Sequence, residues 1–343
     1  MRWGSVALIA SAALFATVAA AQPSAWQWNL PDGVVPPPVS ADNPMSQAKV
    51  DLGRRLFYDA DLSLDGTMAC ANCHGQHNGF ADSIPTRAGV HGDPGLRNAP
   101  GLANIAYLSP LNWADPGVAT LEQQAHVPLF GESPVEMGMT GQDAELARRL
   151  SGNDCYIAMF RAAFPETQGR IDTEAVTKAL AAFQRGMISF DSPADRYARG
   201  ERSALSPAAR RGEAVFRANC ASCHSGDNFT DGLFHAIAPA VQDNRDPGLA
   251  TATGDQADRG RFRTPSLRNV ALTPPYMHDG SAETLAEAIA RHSHAVPRAA
   301  MLASSDGGQD LIAFLDALTD RGFVNDPALS YPDGICENYT AAR

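Results

Sequence analysis

Residues 68–77 read MACANCHGQH, and residues 218–226 read ANCASCHSG. Both contain Cys-x-x-Cys-His, first as Cys70, Cys73 and His74, then 150 residues later as Cys220, Cys223 and His224. One copy of this unit fits a redox dithiol or half of a zinc site. Two copies, each with histidine directly after the second cysteine, point instead to attachment of c-type haem. Two thiols add to the two vinyl groups of a porphyrin, and the adjacent histidine falls under the iron as its proximal ligand. The sequence therefore predicts two covalently attached c-type haems. Haem 1 is held by Cys70, Cys73 and His74, and haem 2 by Cys220, Cys223 and His224.

The start of the chain agrees with an oxidising destination. MRWGSVALIASAALFATVAAAQPS has Arg2, an apolar run from Val6 to Val18, and small residues ending at Ala21. This is the layout of a secretory signal peptide, residues 1–21, cleaved after Ala21. The run is short for a bilayer span and no other long apolar run follows, so no membrane span is expected after cleavage. The expected location is periplasmic. The formal net charge of −11 argues against nucleic acid as a partner. Outside the haem units only Cys155 and Cys336 remain. In an oxidising compartment two leftover cysteines pair more often than they stay free, and a Cys155–Cys336 disulfide is expected.

Apolar spacing gives a mostly α fold: two cytochrome c-like haem domains with long loops and few strands. NPMSQAKVDLGRRLFYD (43–59) reads as a helix with Asn43 as its N-cap and Pro44 at its first position. The segment 142–164 is helical with a break near Gly152. In 172–188, Val176, Leu180, Phe183 and Met187 form one stripe. A polar, turn-rich stretch at 190–207 sets the domain boundary. The N-terminal haem domain is then 22–200 and the C-terminal one 201–343, with a tail that packs back on the first. Ser206-Pro207 caps a helix running into the second haem unit, so each haem unit is expected to close a capped helix. Late helices are expected at 282–292 and 308–319.

The far side of each iron decides function. A vacant position accepts an oxidant, whereas two protein ligands make an electron carrier. A histidine taken singly is more often structural than a ligand. His292 stands apart, because Leu285, Ile289 and His292 share one helix face and turn the imidazole inward. His91, in the loop AGVHGDPG, either swings onto the iron of haem 1 or is a plain loop residue.

The chain resembles the bacterial di-haem cytochrome c peroxidases and their relative MauG. The resemblance rests on GRRLFYD, CANCH, LRNAPGLANIAY, LEQQAHVP, VEMGM, CASCH and RTPSLRNVALTPPYMHDG. LPDGVVPPPVSADNPMSQAKVDLGRRLFYD and VPLFGESPVEMGMTG are closest to a MauG-like branch associated with methanobactin copper-peptide clusters. The resemblance implies Trp113 between the haems and Glu136 as the distal-pocket acid, with Gln124 and Pro128 at further pocket positions. It also implies one calcium held by Asn98 and by carbonyl oxygens at Thr273 and Pro275. Fourteen residues after His278 the peroxidases carry methionine and MauG carries tyrosine, but this chain has His292. Imidazole in place of a thioether lowers the haem potential, which favours MauG-like oxidation over peroxide detoxification.

The activity so implied uses hydrogen peroxide to reach a high-valent di-haem state that oxidises a periplasmic protein partner. In the methanobactin-associated branch, the target would be a tryptophan of a copper-binding partner, converted to kynurenine. Two other readings stand beside it: a cytochrome c peroxidase drawing electrons from a small redox protein, and a di-haem electron-transfer cytochrome without peroxide chemistry.

Overall fold

The computed structural model describes residues 26–237, 245–293 and 295–340. The expected signal peptide, residues 1–21, lies outside the described residues. The first half carries α1 (Gln47–Phe57), α2 (Cys70–Cys73), α3 (Leu121–Phe130), α4 (Asp143–Ser151), α5 (Asp154–Ala163), α6 (Thr173–Arg185) and α7 (Pro193–Ala198). The second carries α8 (Pro207–Asn219), α9 (Ala250–Thr253), α10 (Leu285–Arg291), α11 (Ala299–Ala303) and α12 (Asp306–Asp316). Two short helices close the chain, α13 (Arg321–Val324) and α14 (Glu337–Thr340). The only sheet among the described residues pairs β1 (Phe234–His235) with β2 (Phe262–Arg263), antiparallel, with Phe234 opposite Arg263.

One packing device occurs twice. Helix α1 crosses α6, and α8 crosses α12. A Cβ on Gly53 would lie 1.9 Å from the Ala179 carbonyl oxygen, and one on Gly212 would lie 1.8 Å from that of Asp310. Glycine at these points lets the helix backbones touch. One turn later each first helix presents a phenylalanine to its partner. Phe57 meets Phe183 at 5.3 Å between ring centres, and Phe216 meets Phe314 at 5.2 Å. Two apolar cores result. The first is built around Leu52, Leu56, Phe57, Leu146, Phe160, Val176, Leu180 and Phe183. The smaller second core centres on Phe216, Val270, Leu311, Phe314, Leu315 and Leu318.

The end of the chain returns to the first core, which contains Phe323, Val324, Leu329 and Ile335. Arg54 donates to the carbonyls of Pro327 and Ser330, both at 2.6 Å, and the Tyr339 hydroxyl donates to Asp51 at 2.7 Å. Cys155 on α5 is bonded to Cys336, with Cα atoms 5.3 Å apart.

The expected break near Gly152 separates α4 from α5. Ser206 caps α8, and Pro207 begins it. Two expectations are corrected. The cap of α1 is Ser46, whose side chain accepts from the Lys49 amide. Asn43 is instead fully buried, donating to Glu122 and the Lys178 carbonyl while accepting from the Lys49 ammonium. These tertiary partners outweigh a local cap. The first haem unit also does not close α1. It forms the separate helix α2, beyond a one-turn 3-10 helix at Ala60–Leu62.

Candidate haem centres

His74 follows α2 directly, and His224 lies just beyond α8. The chain then turns back beneath each ring. His74 Nδ1 lies 2.7 Å from the Phe80 carbonyl, and His224 Nδ1 lies 3.0 Å from the Phe229 carbonyl. Both phenylalanines are in the left-handed region, at φ 61° and 52°. A carbonyl only accepts, so each Nδ1 carries the proton and each Nε2 keeps its lone pair. Such a fixed tautomer suits an axial iron ligand. Burial holds both imidazoles below their usual pKa, His224 at about 4, which keeps them neutral.

Beyond His224 opens a largely apolar cavity of about 770 Å³, lined by Cys220, Cys223, Leu285, Ile289 and His292 among others. The capping box of Thr284 and Glu287 starts α10, and His292 ends it. His292 Nδ1 is satisfied by the Ala288 carbonyl at 2.7 Å, and burial lowers its pKa too. The rings of His224 and His292 have centres 6.4 Å apart. Two metal–imidazole bonds of about 2 Å placed back to back hold ring centres about 6 Å apart. Cavity, thiols and paired imidazoles therefore fit a haem with nitrogen on both faces. Asn98, Trp113, Thr273 and Pro275 line the same cavity. The Trp113 indole N–H donates to the Asn98 carbonyl at 2.9 Å. The Asn98 side-chain nitrogen donates to Ile84 and Pro85, which leaves its oxygen as the atom a hard cation would take.

The first site has different company. Burial pushes the Cys70 thiol up to about 12, with smaller contributions from Cys73 and Glu136. Burial, then Asp82 and Glu136 among others, push Cys73 up to about 11. Glu136 thus stands within electrostatic reach of both cysteines, and burial raises its own pKa. Helix α3 positions it. The Met137 amide donates to the Pro128 carbonyl at 3.0 Å, and the Met139 amide to that of Leu129 at 2.9 Å. Gln124 sits one turn before Pro128, and its side-chain oxygen is buried without a hydrogen-bond partner. An orphaned acceptor of this kind marks a place where a donor is missing. His91 is exposed and lines a shallow cavity of about 470 Å³ with Leu64, Glu132, Val135 and Gly138.

Several contacts around the two sites escaped the sequence. Arg87 forms a bidentate pair with buried Asp82 beside Cys73. His278 stacks on Phe262 with ring centres 3.6 Å apart. The Phe80 and Phe229 carbonyls left a trace, since an asparagine and a phenylalanine follow each haem unit, Asn78-Gly79-Phe80 and Asn228-Phe229.

A fold of two helical cores, each presenting a dithiol and a fixed imidazole, defines a di-haem cytochrome. A family model described as di-haem cytochrome c peroxidase matches residues 47–203, and one described as cytochrome c oxidase, cbb3-type, subunit III matches 207–315. The chain is 35% identical over 331 residues to the methylamine utilization protein MauG of Methylophilus methylotrophus, covering 90% of this chain and 95% of that one. It is 31% identical to the cytochrome c551 peroxidase of Pseudomonas aeruginosa, covering 84% of this chain and 82% of that one. The crystal structure of a MauG-like protein associated with microbial copper homeostasis matches with a TM-score of 0.82 at 38% identity, over 90% of this chain and 99% of that chain. The chain belongs to the di-haem cytochrome c peroxidase/MauG family. It is a haem-containing oxidoreductase of the di-haem peroxidase type. Among the described residues no helix is long and apolar enough to cross a membrane.

Proposed function

We propose that this enzyme is exported to the periplasm, where it reacts with hydrogen peroxide and passes the oxidising equivalents to a protein partner. The observation that carries the reading is the inequality of the two sites. His224 faces a second imidazole, whereas the first site has a half-buried carboxyl with a raised pKa, Glu136, within electrostatic reach of Cys70 and Cys73. Bound haem supplies peroxide and one-electron chemistry at iron.

Cys70 and Cys73 would tether the first haem, with His74 as the residue that would hold its iron. Cys220 and Cys223 would tether the second, with His224 and His292 as the residues that would hold its iron. Glu136 would act as general acid–base, taking a proton from one peroxide oxygen and giving it to the other. Gln124 and Pro128 shape that pocket. Trp113 carries an electron between the two sites. Asn98 with the carbonyls of Thr273 and Pro275 would hold a calcium ion. The likeness to a MauG-like protein associated with microbial copper homeostasis supports a partner that acts in copper homeostasis, and the proposal assigns that partner a tryptophan oxidised to kynurenine.

A second reading, reduction of peroxide with electrons from a small redox protein, is favoured by the likeness to cytochrome c551 peroxidase. Mixing the ferric enzyme with peroxide and no donor separates the two. A long-lived oxidised form supports the protein oxidase. Rapid turnover with reduced cytochrome c supports the peroxidase. The absence of any spectral response leaves only an electron carrier.

A further inference from the structure

The repeated helix crossing exposes a difference one residue beyond it. Phe57 is followed by Tyr58, and its counterpart Phe216 is followed by Arg217, an exposed residue paired with Glu213. Tyr58 instead belongs to a chain of rings that starts at the first haem site. Ring centres are 6.5 Å apart from His74 to Phe57, 5.4 Å from Phe57 to Tyr58, and 5.8 Å from Tyr58 to Tyr331. Tyr331 is 61% exposed. Tyr58 is partly buried, and its hydroxyl donates to the Leu329 carbonyl at 2.7 Å. The Arg54 bonds to Pro327 and Ser330 hold the same segment in place.

We propose that Tyr331 is a surface oxidation site, connected to the first haem through Tyr58 across the Phe57 ring. Its substrate class is an exposed phenol, and in the absence of a protein partner that phenol is Tyr331 of a second copy of this chain. The proposal rests on the peroxide reading above.

Tyrosine is among the few side chains that surrender an electron to a strong oxidant. Phe57 is not one of them and serves as the packed medium between His74 and Tyr58. The proton of an oxidised Tyr58 shifts along its hydrogen bond toward the Leu329 carbonyl and, with no onward base there, returns to the phenol oxygen when Tyr58 takes an electron from Tyr331. Tyr331 releases its own phenolic proton to water. Two such phenoxyl radicals on two chains couple through ring carbons. One carbon–carbon bond forms, and the displaced ring hydrogens return to the phenol oxygens. One peroxide takes up the two electrons and two protons and leaves as two waters.

The test treats the full haem-loaded enzyme with hydrogen peroxide, without partner or donor. It follows the optical spectrum, dityrosine fluorescence and covalent dimer on a denaturing gel. Wild type is expected to respond optically and then to form dimer linked at Tyr331, as mapped by peptide mass spectrometry. In Tyr331→Phe the dimer falls to background while the optical response persists longer. In Tyr58→Phe, which keeps the exposed phenol, dimer yield falls several-fold. Undiminished dimer in either variant, or a wild type that responds optically yet leaves Tyr331 unmodified, overturns the outlet alone. A wild type with no optical response overturns the peroxide reading and the outlet with it.

Discussion

Phe57 and Phe216 occupy matching places in the two halves. Each lies one turn after the glycine of a helix crossing, and each packs on a phenylalanine of the partner helix and on the phenylalanine whose carbonyl holds the haem-unit histidine. The environments diverge from there. His224 looks across an apolar cavity at His292, while Glu136 stands within electrostatic reach of the first pair of cysteines. The same Cys-x-x-Cys-His unit thus recurs at two centres, and the side chains away from it set them apart. In the second half the distinguishing residue ends a helix of the same core. In the first it is delivered by α3, whose Pro128 and Leu129 carbonyls pin the segment around Glu136.

The comparison breaks most visibly at Glu136. Glu136→Gln keeps the shape and removes the base, and it should slow peroxide cleavage by about 100- to 10,000-fold in stopped-flow mixing. An unchanged rate would remove Glu136 from the chemistry. The pH profile carries the same information. Proton transfer begins with the carboxylate, so the rate should fall as pH drops through the Glu136 pKa. Burial puts that inflection above the ordinary carboxylate value of 4.5. The glutamine variant should lose that limb.

The second centre is sharpened by His292→Met. A thioether in place of imidazole favours the ferrous state, so spectroelectrochemistry should show the potential of the second haem rising while that of the first stays put. No shift would mean that another residue closes that iron. The smallest expected effect lies in the shared scaffold. Gly212→Ala forces a methyl group against the Asp310 carbonyl, and should cost about 1–3 kcal/mol in denaturant unfolding while leaving the peroxide response of the first centre intact.

Local chemistry and periodicity made much of this legible in the sequence. The repeated Cys-x-x-Cys-His units, the break at Gly152 and the inward turn of His292 all depend on residues close in the chain. The exceptions depend on distant ones. Asn43 is drawn from its expected capping role by Glu122 and Lys178. Tyr331 reaches Tyr58 only because the last residues fold back over α1. Arg87 and Asp82 form a bidentate pair that no spacing rule would pick from the loop they share. Trp113, Gln124 and Glu136 are marked by family resemblance alone, since nothing in their spacing distinguishes them.

The central claim is that the two irons are unequal, and low-temperature electron paramagnetic resonance of the ferric protein tests it most directly. The account predicts one high-spin signal that hydrogen peroxide abolishes and one low-spin signal of paired imidazole ligation. Two low-spin signals that ignore peroxide would contradict it.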